Sequence, residues 1–547
     1  MSIIKTPKRS LTRLVALTTA CLMAWPSLAH TPAGGRAATD ASLPALGDVN
    51  SQDLSPGAER RLGDRIMRSL LRDPAVTDDP LVLEYVDDLW RSLLVSARQR
   101  GDLSADLDAD FAWRTFLIKE RSVNAFALPG GYIGVHLGLL SVTRSPDELA
   151  SVLAHELTHV TQRHIARMMG QSKQTSWVGL ASMVLGALAM SRSPQAGQAL
   201  IMGGQGLAVQ GQLNFSRDME READRIGFGV LADAGYAPAG MGRMFEQLQR
   251  ASRLNDDGSY PYLRSHPLTT ERIGEARARM GSDGLSLGLP EPASRTERLQ
   301  VLVLRHALMS ARARVLMDTR AASLQAWLLP QTVSTDPHAP LAQAYARLVA
   351  AIELRDRAQV DAALPALKAA LGTLEGAPQR EARRVVQLAE LDALTATSRS
   401  VQAQALINGP VASAPSSGAL RAQARPEVMQ RARTALNLPD ARDNREALQD
   451  AAAGLQAVVA DRPDDAAAWT LLAGVWQRLN QPLRAVRAEA EAAAATGDLQ
   501  GAIDRVEAAR RRVPQPQAAD LIELSVMDAR VQRWRQTQRD DAREDTL

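Results

Sequence analysis

Apolar positions recur at helical spacing along most of the chain, and the breaks in that pattern carry capping chemistry. Ser55-Pro56 and Asp79-Pro80 each set a side-chain cap before a proline at the first helical position, which predicts two helices between Ser55 and Arg98. The periodicity then shortens. Trp113 to Ile118 and Ala125 to Leu128 are short, mainly apolar runs, and Pro129-Gly130-Gly131 separates the second from Tyr132-Ile133-Gly134-Val135, which predicts a strand followed by a hairpin. Ser145-Pro146-Asp147-Glu148 opens a further helix with a serine cap, a proline and a glutamate placed to close a capping box; the pattern runs on to about Met168.

Trp177 to Met190 is almost wholly apolar but too short to span a bilayer, which takes about 20 residues. It is either a buried helix or an interfacial one in peripheral contact with a membrane or partner. Gly284 to Thr296 is rich in turn residues and marks a boundary near residue 290. Beyond it the chain is rich in Ala, Leu and Arg at helical spacing, with a Pro/Ser/Gly linker at 408–426. Trp469, Leu472, Ala473, Trp476, Ala485 and Ala492 follow the spacing of a tetratricopeptide repeat, and Gly501 to Arg511 reads as a further, degenerate repeat helix. The expected architecture is mainly α: a domain at 30–290 with a small β-sheet or hairpin, then an α-solenoid of tetratricopeptide-like helices at 291–547.

Length and composition fit this division. The chain has 547 residues, 45% hydrophobic and 23% charged, which is globular composition in a length that calls for two domains. Lys5, Lys8, Arg9 and Arg13 precede the apolar run Leu14 to Trp25 and the small-residue site Pro26-Ser27-Leu28-Ala29. That is the pattern of a cleavable signal peptide at 1–29, and it predicts export. Lipid attachment at Cys21 is the second reading. Removing residues 1–29 takes away four positive side chains and no negative ones, so the formal charge falls from +3 to −1 (3 − 4), and nucleic acid is not an expected partner. The one cysteine lies in the removed segment, so the exported chain can form no disulfide.

His155-Glu156-Leu157-Thr158-His159 lies inside the capped helix, where the two histidines fall on one face a turn apart. That spacing suits two ligands of a catalytic Zn2+, one ion per chain, with Glu156 beside the open position as the base that takes a proton from the attacking water. A chance H-E-x-x-H in such a chain has a frequency on the order of one in a hundred. Ser216 to Asp224 supplies a second helix, and Glu220 is the chosen third ligand. Asp224 then stands one turn further along the same face, placed to accept the free ring N–H of a ligand histidine. Glu222 points elsewhere and reads, with Arg221 and Arg225, as a solvated face.

H-E-x-x-H followed by Glu220-x-x-Ala223-Asp224 resembles the gluzincin-type zinc peptidases of the HtpX and CAAX-prenyl-protease family, nearest to its periplasmic, BepA-like branch with tetratricopeptide-like repeats. The resemblance covers about Ser55 to Gly281 and includes Asn124 to Gly131. It implies that Asn124, Ala125, Phe126 and Ala127 belong to an edge strand on which an extended substrate adds as a further strand. It also implies a catalytic role for His266 in Ser265-His266-Pro267, either stabilising the oxyanion or closing the open zinc position, with Arg272 orienting this segment. The activity it implies is cleavage of misfolded or misassembled outer-membrane proteins in the periplasm, with the repeats engaging clients or the outer-membrane assembly machinery. The competing expectation is a repeat-based chaperone or scaffold whose zinc site is largely latent.

Overall fold

The computed structural model describes residues 54–171, 216–254, 260–280, 293–330, 336–409, 424–439, 442–512 and 517–544. The signal-peptide segment, the apolar run 177–190 and most of the linker 408–426 lie outside these residues.

Both capped helices form, Pro56–Leu70 and Pro80–Arg100, with Ser55 Oγ and Asp79 Oδ1 each accepting a first-turn N–H. The sheet has four strands, β1 (Val76–Thr77), β2 (Arg114–Ile118), β3 (Ala125–Leu128) and β4 (Tyr132–His136); the last three follow from the shorter periodicity, while the two-residue β1, between the two capped helices, carried no signal in the sequence. Their order is β1-β2-β4-β3, so β3 is an edge strand. Leu128 pairs with Tyr132 across the turn, and Gly130 and Gly131 hold φ of 75° and 84° there, backbone that β-carbons disfavour. The sheet is mixed, because β2 runs parallel to β4 while β3 and β4 form the antiparallel hairpin. The parallel pairing was not legible from the hairpin signal alone.

The helix Pro146–Thr161 packs against β3 and the helix Pro80–Arg100. Ser145 Oγ caps it by accepting the Glu148 N–H, and Glu148 Oε2 reaches back to the Arg144 N–H at 2.7 Å. The expected continuation to Met168 is broken. Arg163 adopts φ 52°, and a new helix starts at His164 and runs to Gln171. No glycine or proline marks the break; tertiary contacts hold it, with Arg163 Nε bound to Glu59 Oε2 at 3.1 Å.

All described segments beyond residue 290 are helical, as a helical repeat region requires. The repeat signature falls on the antiparallel pair Ala466–Arg478 and Pro482–Ala495, where Trp469, Leu472, Ala473, Trp476 and Ala485 are buried together. One apolar core runs continuously from Leu81 to Ala403, so the two halves of the sequence share packing. Ion pairs add to it. Acidic groups in and just before the first half of the helix Pro80–Arg100 receive five arginines from beyond residue 300: Asp78 takes Arg425, Asp79 takes Arg312, Glu84 takes Arg384 and Arg305, and Asp87 takes Arg462. Arg384 also grips the fully buried Glu427 at 2.6 Å.

Candidate metal centre

The helix Arg217–Asp233, capped by Ser216, lies across the helix Pro146–Thr161. The approach is close because Gly227 faces the Ala154 carbonyl, which a β-carbon would meet at 3.1 Å. Glu220 is thereby brought to the two histidines. One ligand atom from each of His155, His159, Glu220 and His266 lies within 4.8 Å of the others, and all four residues are buried.

His155 Nε2 and His159 Nε2 stand 3.0 Å apart, and each is 3.4 Å from a Glu220 oxygen. His266, on the segment after the short helix Tyr262–Ser265, puts Nδ1 2.9 Å from Glu220 Oε1 and Nε2 3.4 Å from Glu156 Oε1. Tyr262 stacks on the His266 ring. On the far side of the cluster His155 Nδ1 lies 2.9 Å from Asp224 Oδ1. Arg272 binds both carboxylates, Asp224 through Nε and Nη2 and Glu220 through Nη1. Glu156 is fully buried; its Oε2 accepts the Ala127 N–H at 3.1 Å, and its Oε1 has no hydrogen-bond partner.

The charges are set for a cation. Burial alone would lower the His155 pKa, but Glu220 and Asp224 override it and raise His155 to about 9. Burial opposes ionisation of Glu220, yet His266 and His155 hold it far below the usual carboxylate range. Burial keeps His159 well below its ordinary value and raises Glu156, the latter offset by His266 and His155. Nitrogen and carboxylate donors converging in a buried site, with a Glu156 oxygen that has no hydrogen bond at their margin, fit a bound metal ion.

Two further residues back the cluster: His164, which carried no signal in the sequence, and Glu222, expected on a solvated face. His164 is completely buried and meets His159 Nδ1, and Glu222 meets His164 rather than only facing solvent. In a continuous helix His164 would point away from the His155/His159 face; the break at Arg163 turns it back.

An H-E-x-x-H helix crossed by a glutamate helix, on a mainly helical scaffold with a small sheet, defines a metalloendopeptidase. Residues 97–280 match Peptidase family M48. Over 507 residues it is 28% identical to the beta-barrel assembly-enhancing protease of Escherichia coli (strain K12), covering 91% of this chain and 92% of that one. The Yersinia pestis protein of the same name is 35% identical over 240 residues, 43% of this chain and 47% of its own length. Metalloprotease LoiP of Escherichia coli (strain K12) is 29% identical over 177 residues, 32% of this chain and 64% of that one. Among the described residues, no helix is long and apolar enough to cross a membrane.

Proposed function

We propose that this chain is an exported periplasmic zinc endopeptidase acting on misfolded or misassembled outer-membrane proteins. The observation that carries this reading is the buried convergence of His155, His159 and Glu220 beside Glu156, at the open edge of β3. His155, His159 and Glu220 would hold one Zn2+. When bound, the ion supplies Lewis acidity, lowering the pKa of a water and polarising a peptide carbonyl. Glu156 takes the water's proton and passes it to the leaving amine. Asp224, fixed by Arg272, orients His155. The substrate backbone lies along Asn124 to Ala127 as an added strand, which would present its scissile bond to Glu156.

The relatives' printed names support the client class, and the repeat helices 291–547 offer a surface for clients or for the assembly machinery. The signal-peptide pattern at 1–29 supports periplasmic export, and the segment 177–190 is proposed for peripheral contact with membrane or client. Cleavage of an unfolded outer-membrane barrel by the purified mature chain, abolished by a chelator and restored by zinc, tests the reading; unabated cleavage without metal would contradict it.

A second reading, a chaperone or scaffold with a latent site, is favoured by one contact. His266 Nδ1 reaches the ligand cluster itself, 3.3 Å from His155 Nε2. Binding of unfolded clients by a chain that does not cleave them would support it.

A further inference from the structure

His159 has one ring nitrogen in the cluster and one outside it. Nε2 is the inner atom, 3.0 Å from His155 Nε2 and 3.4 Å from Glu220 Oε1. Nδ1 faces the other way and meets His164 Nδ1 at 2.8 Å. Two imidazole nitrogens at this distance share one proton, which one donates and the other accepts.

Metal ligation decides which. A ligand nitrogen gives its lone pair to the cation, so Nε2 of His159 is bare and the proton sits on Nδ1. His164 Nδ1 is therefore the acceptor, and its own proton stands on Nε2. There Glu222 Oε2 accepts it at 3.0 Å, and Arg167 Nη1 holds the same oxygen at 3.0 Å. Each contact in the run from Glu222 through His164 to His159 thus has one donor and one acceptor.

We infer that His164, backed by Glu222, is the positioning residue for the metal ligand His159, fixing its tautomer and ring plane; this rests on the metallopeptidase reading above. The two ligand histidines are then supported differently. His155 leans on a carboxylate, Asp224, whose negative charge makes the imidazole a stronger donor. His159 leans on an imidazole, and the carboxylate stands one residue further out. The helix break at Arg163, φ 52°, is what allows this, because it starts a second helix whose first residue is His164.

The test is zinc affinity, read by chelator competition on the full mature chain, with the thermal stability of the metal-free form measured alongside. His164→Leu fills similar space but accepts nothing, and it should weaken zinc binding about 10- to 100-fold. His164→Asn offers a side-chain oxygen to the His159 N–H and should recover most of that loss. Glu222→Ala alters a partly exposed residue, so it folds whatever befalls His164→Leu, and its zinc affinity should fall by roughly tenfold. A role in packing alone would instead change metal-free stability while Leu and Asn held zinc equally well. Wild-type affinity in both His164→Leu and Glu222→Ala would overturn this inference alone. A wild-type chain that takes up no zinc would overturn it together with the metallopeptidase reading.

Discussion

The backbone N–H of Ala127 donates to Glu156 Oε2 at 3.1 Å, joining the edge strand to the glutamate of the H-E-x-x-H helix. That N–H makes no ladder bond to β4, because it points to the open side of β3. A peptide adding to this edge would lie against Glu156 and compete with its Oε2 for the Ala127 N–H. The same contact leaves Glu156 Oε1 without a hydrogen bond, facing His266 Nε2 at 3.4 Å, as the oxygen that would work on a proton.

Glu220 and Glu222 should separate by their metal content. Glu220→Ala removes the carboxylate of the His155/His159/Glu220/His266 cluster, and the purified chain should carry little or no zinc. Glu222→Ala, tested at saturating zinc, should still bind one ion per chain despite its weaker affinity. Metal analysis per chain checks both, and the reverse pattern would show the wrong glutamate to have been assigned.

His266→Ala discriminates two roles by the sign of its effect. If His266 closes the open metal position at rest, its removal should raise basal cleavage and self-cleavage with zinc still bound. If it stabilises the oxyanion, cleavage should fall about a hundredfold or more. Its Nδ1, 2.9 Å from Glu220 Oε1 and inside the cluster, favours closure. An unchanged rate would remove both roles.

Stability should fall on mild acidification. Burial lowers His136 and His306 to about 4 each, so both fold neutral while the unfolded chain takes up protons below pH 6.5. The stability they hold is complete above pH 6.5 and lost as pH drops towards 4, at most about 3 kcal/mol apiece. His306 accepts from Tyr85 and donates to Thr143, a pairing that glutamine can imitate. Thermal unfolding of His306→Gln against pH should therefore show a shallower acid slope. Equal slopes in variant and wild type would contradict the assignment.

Arg384→Met should destabilise strongly. It strips the arginine from Glu427, which is fully buried, and from Glu84 on the helix that leads to the metal site. Breaking one side of a buried pair costs about 3–5 kcal/mol, read as a shift in the denaturation midpoint. Loss of less than about 1 kcal/mol would mean that the later helices dock without this pair.

How much of this was legible in the sequence depended on range. Ser145, Pro146 and Glu148 are local capping signals, so the start of the metal helix could be read directly, as could the turn at Gly130-Gly131. Trp469 and Trp476 marked the helical pair that buries them because repeat packing is also short-range. The helix break at Arg163 could not be read: nothing within Thr161 to His164 disfavours helix, and the residue that pins it, Glu59, lies far away in the chain. For the same reason His164 carried no signal and Glu222 read as part of a solvated face. The arginine pairs along the helix Pro80–Arg100 join residues hundreds of positions apart, and a lone arginine in an alanine-rich helix carries no address.

The central claim is that Glu156 performs the proton chemistry at a metal held by other residues. Glu156→Gln keeps the shape and the contact to Ala127 while removing the base, so zinc content and cleavage of an unfolded barrel protein should be measured on the same preparation. One zinc per chain with no detectable cleavage is the predicted result. Cleavage at the wild-type rate would contradict the account.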